Sequence, residues 1–382
     1  MNGYFDYNAT TPLHPAAREA WLEAADHHWH NPSSLYRAAG AARQRLQDCR
    51  EVVADRLGCA AEDIVFLSGA TEANNAALAH AAAAGLHPIA LSAAEHPCVS
   101  EPAHHHFADR LSRIPLSPSG VADLAALEEI LATQRPGLVA LMAANNETGA
   151  LQPWPEALAL CRRHGALFLC DAAQWIGKMP SAGLGACDFV TGSAHKFGGP
   201  KGIGFLKVPS SGRPLRWLRG GPQEERRRAG TENVPAIAAM MAAWEAVESS
   251  AAALQPARLQ ARQAFEDRLQ ALLPEATLLA GAAPRLWNTV LLALPPPLNV
   301  KWLARLSARG FATSTGSACS RGGGASDVLL AMGLPGPAAG QALRLSSGWD
   351  TTPDDWLALA EALAAVHVGI AQRPPSGPAL AL

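Results

Sequence analysis

Two side chains carry reactive tips in settings that ask for an explanation. Lys196 closes the stretch Thr191-Gly192-Ser193-Ala194-His195-Lys196 and runs at once into the glycine-rich Phe197-Gly198-Gly199-Pro200-Lys201-Gly202. A lysine on a tight polar loop after a buried strand loses hydration, which lowers its pKa and frees the amine to attack a carbonyl. Lys201 competes, because it too lies among glycines, yet Ser193 and His195 beside Lys196 offer phosphate donors that Lys201 lacks. Any single lysine is otherwise a solvated surface charge. Cys319 is the second. The chain has seven cysteines, an odd number with no pair at the close spacing of a zinc or thioredoxin motif, so reduced thiols are expected. Cys49, Cys59, Cys98, Cys161, Cys170 and Cys187 sit in apolar or helical contexts, where cysteine behaves as a small hydrophobe. Cys319 lies instead in Ser314-Thr315-Gly316-Ser317-Ala318-Cys319-Ser320, a polar loop where a thiolate is reachable.

Other motifs suit a lysine of that kind. Ser68-Gly69-Ala70-Thr71-Glu72 follows an apolar run and opens a helical stretch. Free backbone amides, the helix dipole and the Thr71 hydroxyl then surround one point, forming an anion cup, or else an ordinary turn with a threonine cap. Asp171 ends the run from Ala166 to Cys170. A carboxylate at a strand end is often only a cap, but pyridoxal phosphate needs one to keep its pyridine nitrogen protonated, so that the ring can take up carbanion charge. Gln174, three residues on, would donate a hydrogen bond to the phenolic oxygen of the ring.

These residues need elements to position them. From about residue 60 to 208 short apolar runs alternate with helical stretches, the pattern of an α/β sheet with helices on both faces. Strands are expected at Ile64 to Leu67, Pro88 to Leu91, Leu138 to Ala143, Ala166 to Cys170, Asp188 to Thr191 and Ile203 to Val208, and the sheet should be mostly parallel. In such sheets ligands gather beyond the carboxyl ends of the strands, where the motifs fall. An alanine-rich stretch from Val234 to Leu273 reads as one long helix joining a second, smaller α+β unit. That unit has strands at Asn288 to Leu294, Phe311 to Ser314 and Ala342 to Ser346, and helices at Val300 to Ala308 and Pro353 to Ala371. The expected division is residues 1–260 for the large domain and 261–382 for the small one, with helices near Pro15 to His28 and Ala38 to Leu57 free to pack on either. At 382 residues there is ample apolar content for both cores.

Lys plus Arg number 31 against 33 Asp plus Glu, so nothing in the bulk charge calls for nucleic acid or an anionic membrane, and an acidic ligand must be bound locally. No apolar run approaches the roughly 18 residues of a membrane span, and no basic segment precedes an apolar one at the start, so a cytoplasmic enzyme is the expectation. His104-His105-His106 and the group His27, His28 and His30 read as solvated faces rather than metal sites, because adjacent histidines on a helix diverge and nothing completes a tetrahedral set.

Taken together the motifs resemble the cysteine desulfurases of the class V aminotransferase family, fold type I enzymes that use pyridoxal phosphate. The resemblance runs nearly end to end. It rests on Tyr4 to Pro12, Asn31-Pro32-Ser33-Ser34, Ser68 to Glu72, Glu95-His96, Asn145-Asn146-Glu147-Thr148-Gly149, Asp171 to Gln174, Ser193 to Lys196, Arg228-Ala229-Gly230-Thr231-Glu232-Asn233 and Ser317-Ala318-Cys319, in that order. It implies that Lys196 bonds the cofactor, Asp171 partners the ring nitrogen, Gln174 the phenolic oxygen, and His96 stacks on the ring and moves protons. Ala70, Thr71, Ser193 and His195 match phosphate contacts. Thr231 matches a threonine that reaches the phosphate of a neighbouring subunit, which implies a homodimer. Asn146 matches an asparagine at cofactor and substrate. Arg344 matches the arginine that grips the substrate carboxylate, for which a bidentate guanidinium is suited. Cys319 matches the thiol that takes sulfur from L-cysteine, leaving L-alanine and a persulfide for an acceptor protein in iron-sulfur cluster assembly or thiolation. Arg321-Gly322-Gly323-Gly324 supplies the backbone freedom such a delivery needs.

The chain departs from that pattern at Tyr36-Arg37, where relatives usually carry a histidine, at Glu225-Arg226, where Arg-Gly is usual, and in the triple glycine after Cys319. A selenocysteine lyase or other class V enzyme using the same ring chemistry is the alternative reading, and a catalytically silent partner in a sulfur-transfer complex is a third.

Overall fold

The computed structural model describes residues 3–209, 215–249, 251–316 and 326–371. Strand β1 (Gly3–Tyr4) and helices α1 (Pro15–His27) and α2 (Arg37–Leu57) precede the main α/β run. That run is β2 (Ile64–Leu67), α3 (Ala70–Ala83), β3 (Ile89–Ser92), α4 (Pro97–Phe107), β4 (Leu111–Ile114), α5 (Leu124–Gln134), β5 (Leu138–Ala140), α6 (Trp154–His164), β6 (Leu167–Asp171), β7 (Phe189–Ser193) and β8 (Gly204–Lys207). The seven strands form one sheet in the order β2-β8-β7-β6-β5-β3-β4, with every pairing parallel except those of β8, which runs against both neighbours.

Alternation along the strands builds two cores. Ile64, Phe66, Val139, Phe168, Cys170, Val190 and Phe205 point to one face, under apolar residues of α2, α6 and helix α7 (Val234–Ser249). Their neighbours Val65, Leu67, Leu138, Ala140, Leu169, Phe189 and Leu206 point to the other, under α3 and α4. Strands covered on both faces read as unbroken apolar runs, which is why six of them are visible in the sequence. The seventh, β4, has Ser112 and Arg113 at its centre and only Ile114 fully buried, so it carries no such run.

The stretch from Val234 to Leu273 forms two helices rather than one: α7 packs on α1 and α2, whereas α8 (Ala251–Leu272) packs on α12 (Pro353–Ala371). The two ends of this segment serve different cores, and composition alone marks no boundary between them. Beyond it come β9 (Thr277–Leu279), β10 (Thr289–Ala293), α9 (Asn299–Ala308), β11 (Phe311–Ala312), α10 (Asp327–Ala331), α11 (Gly336–Ala339) and β12 (Ala342–Ser346). Strands β12, β10 and β9 form an antiparallel sheet. Its core holds Phe265, Val290, Leu292, Trp302, Leu343, Leu345 and Trp356, and also Phe5 from the start of the chain. Residues 3–6 pair with this part of the chain, β1 alongside β11 and Asp6 alongside Ser346. Among the described residues no helix is long and apolar enough to cross a membrane.

Candidate active site

The parallel strands deliver their following residues to one cavity of about 520 Å³. Strand β2 is followed by Ser68 and Gly69, β3 by Glu95 and His96, β5 by Asn146 and Glu147; β6 ends on Asp171 and β7 on Ser193, just before Lys196, and all of these line the cavity. Ala70, Thr71, Gln174, His195 and, from β12, Arg344 line it too. Thr231 is exposed and outside this lining. Cys319 lies outside the described residues, as does the triple glycine behind it; Gly316, three positions earlier, is at the cavity wall.

One end of the cavity is formed by the start of α3. Gly69 caps α3 with φ +148°, a conformation costly for residues with a side chain, and a Cβ there would stand 3.2 Å from the Ser193 hydroxyl. Gly204 makes this turn possible from below, since a Cβ on it would fall 2.6 Å from Gly69 Cα and 2.4 Å from the Gly192 carbonyl. The first turn of α3, with Ala70 and Thr71, thus meets Ser193 and His195 in the cavity lining across bare backbone. Burial, then the positive charges of Lys196, Lys201 and Lys178, push His195 down to about 4, so it is a neutral imidazole here. Behind the turn, Glu72 accepts from the Ser68 amide at 2.6 Å and pairs with Arg228 at 3.0 Å, tying the Arg228 segment to the same end.

The other groups surround the middle. Lys196 donates to the Asn8 and Ala9 carbonyls at 2.7 and 2.9 Å. Burial lowers its pKa to about 8, helped by the Arg344 charge and opposed by Asp171, Asp6 and Cys98. Asp171 is buried, its two oxygens accepting from Asn74 at 3.0 Å and the Ala173 amide at 2.9 Å. The Cys98 thiol stands 3.7 Å from the same carboxylate. His96 caps α4, its Nδ1 accepting the Cys98 amide at 3.1 Å, so in the neutral ring Nε2 carries the proton. Burial lowers its pKa against the pull of Asp171, with Lys196 and Arg344 reinforcing. Arg344 is buried and donates to Asp6 at 2.7 Å and to the Asn146 carbonyl at 2.9 Å, while its Nε has no partner among the described residues.

Several cavity residues carried no assigned role in the sequence. Asn8 is a hub: its carbonyl accepts from Lys196 and Gln174, and its side chain binds Thr289 and Asn288. Glu95 is fully inside, accepts the Met142 amide at 2.6 Å, and is pushed up to about 8 by burial and by Asp171. Glu147 is buried, its Oε2 without a partner among the described residues and its pKa raised by burial against the lowering influence of Ser326 and Arg344. Asn8, Glu95 and Glu147 sit in motifs quoted above, but only the fold brings them together. Six cysteines lie among the described residues, free and buried except for the half-buried Cys59.

The aminotransferase class-V family model matches residues 3–359. A cysteine desulfurase of Enterobacter agglomerans is 37% identical over 352 residues, spanning 90% of this chain and 87% of that protein. A selenocysteine lyase of Bos taurus is 36% identical over 392 residues, with 91% and 89% covered. The crystal structure of a NifS-like protein from Rickettsia africae superimposes with a TM-score of 0.87 at 29% identity, covering 96% of this chain and 99% of that one. A match over nearly the whole length, at these identities and on this fold, leaves one conclusion: the chain belongs to the aminotransferase class-V family and, within it, to the cysteine desulfurase group of enzymes.

Proposed function

We propose that the chain takes sulfur from L-cysteine with pyridoxal 5′-phosphate as cofactor, releasing L-alanine and leaving a persulfide on Cys319. The observation that carries this reading is the cavity in which a desolvated lysine, a buried aspartate, a helix start and a buried arginine converge. The donor set fits the cofactor. Ala70, Thr71, Ser193 and His195 would hold its phosphate, Asp171 its ring nitrogen, Gln174 its phenolic oxygen and Lys196 its aldehyde carbon, with Asn146 and His96 against the ring. Bound there, the cofactor supplies an electron sink for charge developing at the substrate's α-carbon.

The chain's own residues do the rest. Lys196, with a pKa near 8, has a sizeable neutral fraction at physiological pH, the form that can act as nucleophile or take a proton. Asp171 is held in place by the donors Asn74 and the Ala173 amide, which orient its carboxyl group for the ring nitrogen. His96, with Nδ1 occupied, exchanges protons through Nε2. Arg344 would receive the substrate carboxylate through its Nε, which has no partner among the described residues. The Cys319 thiolate takes the substrate sulfur, the carbon–sulfur bond breaks toward carbon, and that carbon gains a proton to give alanine. Selenocysteine lyase remains the second reading because such a lyase matches almost as well, and Cys319 is the residue that favours the first.

The proposal extends to a division at residues 1–260 and 261–382, a cytoplasmic location, a sulfur-acceptor protein, and a homodimer in which Thr231 would reach the other subunit's phosphate. Purified protein loaded with cofactor and given L-cysteine should release alanine, and Cys319→Ser should abolish it. Undiminished turnover in that variant would remove Cys319 from the reaction.

A further inference from the structure

Lys178 lies one turn beyond Gln174 and is buried, 5% exposed. Among the described residues no carboxylate pairs with its amine; Nζ donates instead to the Gln174 side-chain oxygen at 2.6 Å and to the Gln174 carbonyl at 3.3 Å. Burying an ammonium group without a counter-charge is costly, and burial together with the Lys196 and Arg344 charges drives its proton affinity well below the usual lysine value. An apolar side chain would fill this space without that cost, so the amine needs a reason to be there.

Gln174 provides the reason. Its amide nitrogen donates to the Asn8 carbonyl at 2.8 Å, and the same carbonyl accepts from Lys196 at 2.7 Å. A small cavity lies between Lys178 and Lys196, with space of about 20 Å³, room for one water. The run Lys178, Gln174, Asn8, Lys196 is therefore continuous. A carboxamide with one end unpinned can rotate or flip; here the amine binds the oxygen on the core side and leaves the nitrogen toward the active-site cavity.

We infer that Lys178 is a positioning residue: it holds the oxygen of Gln174 inward so that the amide N–H is presented to the cofactor's phenolic oxygen. The inference rests on the cofactor reading above. Loss of a donor to that oxygen favours the protonated form of the bound chromophore, so the pH at which its visible band changes should rise.

The test is an absorbance titration of the cofactor-loaded full-length protein as wild type, K178M, K178Q, Q174A and Q174A/K178M, with far-UV circular dichroism and cofactor content measured on each. The midpoint should rise by about half a pH unit in K178M and in Q174A, the size one net hydrogen bond supplies. It should rise no further in the double variant, and K178Q, which keeps an N–H donor without the charge, should shift less than K178M. A K178M shift that persists in the Q174A background, or K178Q and K178M shifts of equal size, would assign the effect to charge alone and overturn the inference. An unmoved midpoint in K178M would overturn it as well. A wild type that takes up no cofactor would instead sink the cofactor reading, which keeps the two failures apart.

Discussion

At the scale of single residues the site works by placing charge where water is scarce. Lys196 is the clearest case: among the described residues its amine makes no ion pair and donates to the Asn8 and Ala9 carbonyls, with Asp171 and Asp6 acting only at a distance. Its neutral fraction grows as pH rises through about 8, so the rate at which the apoprotein takes up pyridoxal phosphate should climb over that range and level off above it, followed as growth of visible absorbance. Borohydride treatment of the loaded protein should fix the cofactor to the Lys196 peptide, and K196A should retain none after the same treatment. Glu95 carries the opposite sign. Its folded pKa, about 8, exceeds the ordinary carboxyl value of 4.5, so folding is disfavoured progressively as pH climbs between those two values and equally at all higher pH. Glu95→Gln in the apoprotein keeps an oxygen for the Met142 amide and removes the ionisation. It should match wild type near pH 4.5 and exceed it near pH 8 by an amount on the order of 3–5 kcal/mol, measured by urea unfolding. Equal stability of the two proteins across that range would show that Glu95 is not destabilised in its charged form. The chemistry-bearing motifs were legible because Lys196, Asp171 and Arg344 stand at strand ends or within motifs. Lys178 and Cys98 were not, since nothing in a local window separates a buried lysine from a solvated one or a pocket thiol from a core thiol.

At the scale of elements, the segment before Arg228 shows how a departure from the family pattern is accommodated. Glu224, Glu225 and Arg226 all have positive φ, 47°, 55° and 66°. The run is held by the buried Glu224 carboxylate, which receives two hydrogen bonds from Arg50 at 2.8 Å and one from the Phe66 amide at 2.9 Å. Where Arg-Gly is usual, Arg226 adopts the backbone conformation a glycine would take without strain. Arg226→Gly should therefore stabilise the protein by about 1 kcal/mol. Glu224→Ala should cost about 3–5 kcal/mol, because it strands a buried guanidinium; thermal and urea unfolding read both. A destabilised Arg226→Gly would mean that the side chain's contacts outweigh the strain. Strands β2, β3 and β5 to β8 were readable from their apolar runs, whereas β4 is only partly buried and carries no such run, and the division between α7 and α8 depends on packing partners that a linear pattern does not contain.

At the scale of the whole molecule, residues 3–11 bind the two sheets to each other. Phe5 is buried in the C-terminal core, Asp6 pairs with Arg344, Asn8 reaches Thr289, Asn288 and the Asn146 carbonyl, and Thr11 donates to the His195 carbonyl. The N-terminal segment is thus a wall of the active site although it lies far from every reactive residue in sequence, which is why Asn8 and Asp6 carried no role before the fold was known. Deleting residues 1–10 should abolish cofactor retention while leaving helical content largely intact by circular dichroism, since α1 and α2 pack on α7 independently of β1. Retention of cofactor by the truncated chain would contradict that role. Transfer of sulfur from L-cysteine to Cys319 is read by mass analysis of the Cys319 peptide, with alanine quantified in parallel, after the loaded protein is mixed with L-cysteine. One added sulfur atom on Cys319 and alanine in equal amount are expected; alanine without sulfur on that peptide, or neither product, would rule the transfer out.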